Sequence, residues 1–175
     1  MKRFLLPLAA LALSLPAAAH VTLDPPQAVA GGYLRAAFRV PHGCDGAATE
    51  SLTVSLPEGV ATARPMPKPG WRLTITRAPL DPPVDNGHGR LIHERVVSIT
   101  WAGGPLPDEE YDEFVVMFRV PGPGGEVLHL PAVQQCSGGA TASWTEIPEP
   151  GRRITDYHHP APSLRVTPPR IPGSN

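Results

Sequence analysis

Sulfur and aromatic rings are scarce in this 175-residue chain, which holds two cysteines, three methionines and only 6% Phe, Trp and Tyr. Beyond Met1 the methionines are Met66 and Met117, too few for a thioether-rich site for a soft metal ion. No charge of one sign dominates either: 15 Lys and Arg face 16 Asp and Glu, for a formal net charge of −1. With no Arg-rich face and no aromatic ladder for stacking bases, a reader of nucleic-acid backbones is excluded. After residue 19 no apolar run approaches the length needed to cross a bilayer core of roughly 30 Å, so no membrane anchor is expected. The G-x-S-x-G elbow, the phosphate-cradling glycine loop, H-E-x-x-H and the EF-hand calcium loop are all missing, which removes the usual hydrolase, nucleotide and calcium readings. No internal repeat at a fixed period is present.

What is present begins with Lys2 and Arg3, an apolar run from Phe4 to Leu15, and Pro16, Ala17, Ala18 and Ala19. A basic head, a short apolar centre and an A-x-A ending predict a secretory signal peptide over 1–19, cleaved to leave His20 as the first residue, in the periplasm or outside the cell. Removal takes two basic residues and no acidic ones, moving the formal charge to −3. The remainder has the size of one domain, expected over 20–167, with a flexible proline-rich tail over 168–175. In an oxidising compartment Cys44 and Cys136 are expected to form a disulfide. The competing use of the two thiols is a thiolate copper site.

Twenty-four prolines and 17 glycines leave almost no room for long helices. Between them lie runs of period-two alternation at Tyr33 to Val40, Ser51 to Leu56, Trp71 to Ala78, Arg90 to Trp101 and Glu113 to Val120. Shorter candidates are Val21 to Leu23, Glu126 to Leu130, Ala132 to Gln135, Ser143 to Ile147 and Ser163 to Val166. Eight to ten short strands predict an all-β fold, a two-sheet antiparallel β-sandwich of immunoglobulin or cupredoxin type. Pro79 to Gly89 and Pro105 to Asp112 read as loops or hairpin connections.

Chemistry is concentrated in histidine. His42, His88, His93, His129, His158 and His159 carry no ligand spacing and read mostly as bystanders, and neighbours such as His158 and His159 would point to opposite faces of a strand. His20 differs because, after cleavage, its α-amine and Nδ1 close a six-membered chelate ring without help from tertiary structure. A nitrogen pair with tetragonal preference suits Cu(II), which heads the divalent affinity order. Thr22 at the third position excludes the amine, two-amide and third-residue-histidine copper site. An oxygen ligand from a carboxylate is expected to complete the shell.

Ordered segments then resemble a known family. They are H-V-T-L-D-P-P-Q-A from His20, Y-L-R-A-A-F-R-V-P-H-G-C-D-G from Tyr33, M-P-K-P-G-W from Met66, Y-D-E-F from Tyr111, V-Q-Q-C from Val133, W-T-E-I-P from Trp144 and H-P-A-P from His159. The chain resembles the YcnI-like proteins, the DUF1775 domain. That resemblance implies a β-sandwich binding Cu(II) through a monohistidine brace, with His20 as the histidine, a carboxylate helping and Trp144 close by. Glu113 is the first choice of carboxylate, Glu146 the second and Glu50 the third, while Trp144 as plain core and Glu113 as a strand-end residue stay open. A second metal position near His42, His158 or His159 also stays open. Some relatives carry a C-terminal membrane segment; its absence here implies free diffusion.

Three uses are weighed. The first is non-enzymatic copper storage, delivery or buffering, with periplasmic copper chaperones or transporters as exchange partners. The second is an oxidative copper enzyme resembling the lytic polysaccharide monooxygenases, with His129, His158 or His159 as the second histidine; the low aromatic content disfavours a flat glycan surface. The third is a sandwich used only for protein contacts.

Overall fold

A computed structural model describes residues 20–86 and 89–169. The expected signal peptide, His88 and the tail from residue 170 lie outside the described residues.

Twelve strands follow one another among the described residues: β1 (Thr22–Asp24), β2 (Gln27–Val29), β3 (Tyr33–Val40), β4 (Thr49–Ser55), β5 (Ala63–Pro65), β6 (Trp71–Asp85), β7 (Leu91–Leu106), β8 (Asp112–Arg119), β9 (Val127–His129), β10 (Ala132–Cys136), β11 (Thr141–Trp144) and β12 (Ser163–Thr167). They form a four-stranded sheet ordered β1-β3-β8-β5 and a five-stranded sheet ordered β11-β10-β4-β7-β6. A smaller sheet ordered β2-β12-β9 stands beside these two, and its β2–β12 pair is parallel where the sequence pattern anticipated antiparallel pairing throughout.

Alternation decides which face is buried. Leu34, Ala36, Phe38 and Val40 of β3 point inward with Phe114, Val116 and Phe118 of β8. Leu52 and Val54 of β4, Ile99 and Trp101 of β7, and Ala132 of β10 meet them from the five-stranded sheet. The Val, Leu, Ile and Phe side chains among them contribute about 1.5–3 kcal/mol each when fully buried. The buried indole of Trp101 is matched, its Nε1 donating to the Met66 carbonyl at 3.1 Å.

The stretch from Pro79 to Gly89, expected as a connection, instead extends β6 through Asp85 and β7 back to Leu91, with a register shift between Pro79 and Val84. β6 is the outer strand of its sheet. Prolines at 79, 82 and 83 therefore remove no ladder partner on the open side, which is where strands tolerate them. β2 and β5, three residues each, have too little sequence for alternation to register.

The disulfide Cys44–Cys136 forms, with Cα atoms 6.0 Å apart, tying the segment after β3 to the end of β10. It uses both sulfurs, which removes the thiolate copper site.

His129 closes β9 with its Nδ1 buried and without a hydrogen-bond partner. Burial pushes its pKa down from the ordinary histidine range. As pH falls through about 6.5 the unfolded chain takes up this proton before the folded one does, so stability present above that pH is lost below it. His129→Leu is expected to add about 1 kcal/mol at neutral pH, by removing an unpaired buried nitrogen, and to flatten the acid limb of stability. Urea unfolding at pH 7 and pH 5 measures both, and a variant less stable than the parent at pH 7 would refute the assignment.

Candidate metal centre

The two large sheets each end in a strand that leads to the same place. β1 is the edge of one sheet and β11 the edge of the other. His20 stands two residues before β1, half-buried, and Trp144 is the last residue of β11, with only 3% of its surface exposed. Their rings meet edge to face with centroids 5.8 Å apart. Val21, 2% exposed, anchors the backbone beside His20 in the core. A cavity of about 180 Å³ runs along this segment, lined by His20, Thr22, Ile154, Pro160, Ala161 and Ser163 among others.

Two more imidazoles touch the same indole. His159 lies 4.9 Å and His42 6.4 Å from Trp144, both edge to face. His42 bonds through Nδ1 to the Gly43 carbonyl at 2.6 Å. The loop that carries it is tight, with Cys44 and Ala47 exchanging backbone hydrogen bonds at 2.9 Å. A Cβ at Gly43 would sit 1.9 Å from the Ala47 carbonyl oxygen, so only glycine fits there. His158 and His159 lie on a bend rather than a strand, and His159 is the one whose ring reaches Trp144.

A domain-of-unknown-function model, DUF1775, matches residues 20–166. The chain belongs to the DUF1775 family. It is also similar to a solved structure described as an uncharacterized protein from Nocardia farcinica with an immunoglobulin-like fold. The two share 32% identity over 85% of this chain and 98% of the other, with a TM-score of 0.65. No curated protein matches significantly. The immunoglobulin-like β-sandwich expected from alternation is thus the fold of this DUF1775 chain.

The three carboxylates named for the site go to three places. Glu113 sits on the outward face of β8, opposite Arg39. Its Oε1 accepts from Arg39 Nε at 3.0 Å and its Oε2 lies 3.7 Å from Arg35. Arg39 in turn reaches Asp24 of β1 at 2.9 Å. The hydrogen bond with Glu113 is the main reason the Arg39 pKa is raised, with Asp24 adding to it. A metal at Glu113 would have to displace two guanidinium groups.

Glu50 is exposed, next to the register shift in β4 between Thr49 and Ser51, in a depression shared with Gln135, Cys136 and Thr141 and no histidine. Glu146 bonds directly to the segment that carries His159. Its Oε2 accepts the His159 backbone N–H at 2.5 Å, and its main chain bridges to Pro160 and accepts from the Ala161 N–H at 2.8 Å. Pro160 and Ala161 line the cavity at His20. Among the described residues no three histidine, cysteine or carboxylate side chains stand close enough together to hold a metal. A chelate of the kind expected at His20 would need no such cluster, because two of its donors would belong to one residue.

Reading by sequence passed over Gln134 and left His42 only as one of three open positions for a second metal, without its link to Trp144. The signal for His42 was its spacing: two residues ahead of Cys44, whose disulfide partner lies on β10, the neighbour of the strand that ends in Trp144.

Proposed function

We propose that this DUF1775 protein is a non-enzymatic Cu(II)-binding protein acting in copper storage, delivery or buffering outside the cytoplasm. The metal is held by the amine and Nδ1 of His20, with Glu146 as the carboxylate best placed to assist. Export and cleavage after Ala19 are part of this reading, since the amine exists only on a processed chain. Exchange partners would be periplasmic copper chaperones or transporters.

One observation carries the reading: the His20 ring is half-buried against Trp144 at an edge of the sandwich. An imidazole held against an indole has fewer orientations to lose when it chelates than a frayed terminal residue has. The cavity beside it leaves space for the remaining ligands. The donors fit the ion, because nitrogen and oxygen ligands suit Cu(II) and the described cysteines are locked in a disulfide.

The test uses protein processed after Ala19, its first residue checked by mass spectrometry. Stoichiometric Cu(II) should give an electron paramagnetic resonance spectrum of nitrogen-coordinated tetragonal copper and quench tryptophan emission. Trp144→Phe should lose most of the quenching, since Trp101 is fully buried and Trp71 packs on Phe114. Emission untouched by saturating copper would sink the proposal.

A further inference from the structure

Gln134 is a polar side chain with no exposed surface, on the inward face of β10 between Leu52 and Ala142. Burying an amide without partners costs about 1–3 kcal/mol in proteins, so its three hydrogen bonds need a purpose beyond filling space. Nε2 donates to the His42 carbonyl at 2.7 Å and to Thr49 Oγ1 at 2.6 Å. Oε1 accepts from Trp144 Nε1 at 3.2 Å. The indole N–H only donates and the carbonyl only accepts, so the amide has a single workable orientation. Thr49, also fully buried, holds the amide from a third side.

We infer that Gln134 is the positioning residue of the centre at His20. It pins the indole by its nitrogen, which sets the ring edges that meet His20, His42 and His159. The same amide holds the main chain at His42, so one side chain fixes both the tryptophan and the loop that brings a second imidazole to it. An apolar residue of the same length would fill the volume and leave the indole free to turn about its χ angles. Buried polar networks that are fully satisfied specify one arrangement in this way.

This inference rests on the copper reading for its consequence, though not for its geometry, and the experiment separates the two. Gln134→Met keeps the length and removes all three hydrogen bonds. In metal-free protein, nuclear Overhauser contacts from the Trp144 ring to His20 and His42 should weaken or vanish, and the Trp144 indole N–H should exchange faster. In processed protein, Cu(II) affinity should fall by about ten-fold, the size of effect typical when a group behind a metal ligand is lost, with altered copper hyperfine splitting. Thr49→Val should show the same changes more weakly, and Thr49→Ser, which keeps the hydroxyl, should restore them; this pair decides the matter if Gln134→Met does not fold. A folded Gln134→Met with parental ring contacts and parental copper spectrum overturns the inference. If the parent binds no Cu(II), the proposed function fails and the ring contacts alone still decide the role of Gln134.

Discussion

Acetylating the amino group of His20 in the processed protein is expected to cut Cu(II) affinity by more than about 100-fold, because losing even a supporting partner behind a ligand costs 10–100-fold and here a ligand itself is lost. Acetylation turns the amine into an amide, whose nitrogen lone pair is delocalised into the carbonyl and binds Cu(II) only after the N–H proton is lost, a loss that needs a neighbouring anchor ligand, and it leaves the imidazole in place. Monodentate binding by one ring is all that remains. The thermal midpoint of the metal-free protein should not change, since Val21 and Leu23, which seat this segment, are untouched. His20→Ala should match the acetylated protein. A glycine spacer would be a poorer probe, because amine, intervening amide and imidazole would assemble a new chelate. Affinity is read by competition with a chelator of known strength. Undiminished binding by the acetylated protein would move the site elsewhere, with His42 and His159 around Trp144 as the next place to look.

Replacing Cys44 and Cys136 together by alanine is expected to cost about 4 kcal/mol of stability, since the bridge spans 92 residues and long closed loops restrict the unfolded chain most. Against the 5–15 kcal/mol that holds a typical domain, the loss is large, and at roughly 2–4 °C per kcal/mol it should lower the melting midpoint by about 8–16 °C. The effect should also reach the candidate centre. Cys44 opens the turn to Ala47 two residues after His42, and Cys136 follows Gln134 by two residues on β10. Copper affinity should therefore drop in the alanine variant even at temperatures where it is folded. Urea unfolding gives the stability difference, and a loss below about 1 kcal/mol would contradict the chain-entropy account.

Local rules read much of this fold correctly. Period-two alternation marked β3 to the residue, β8 to within one residue at each end, most of β7 and the first half of β6, because each of those strands has one face toward the core. The same rules stopped at Pro79, where proline composition suggests a turn. Whether proline breaks a strand depends on which edge of which sheet it occupies, and β6 is an outer strand, a fact absent from the local sequence. The parallel β2–β12 pair joins segments about 140 residues apart, which no local pattern can announce.

For the proposed centre, sequence alone determined the chemistry available: one histidine that the expected cleavage would leave with two nitrogens to offer, two cysteines suited to a bridge, and too little methionine for a thioether site. It also drew attention to Trp144. Tertiary structure decided who stands where. Glu113 and Glu146 are equivalent as carboxylates in a sequence, yet cross-strand register puts the first between two arginines and a backbone bridge puts the second beside His159. Three histidines scattered from position 20 to position 159 meet one indole because two sheet edges and a disulfide bring them together. Donor chemistry belongs to each residue by itself; proximity is created by packing between residues far apart in the chain.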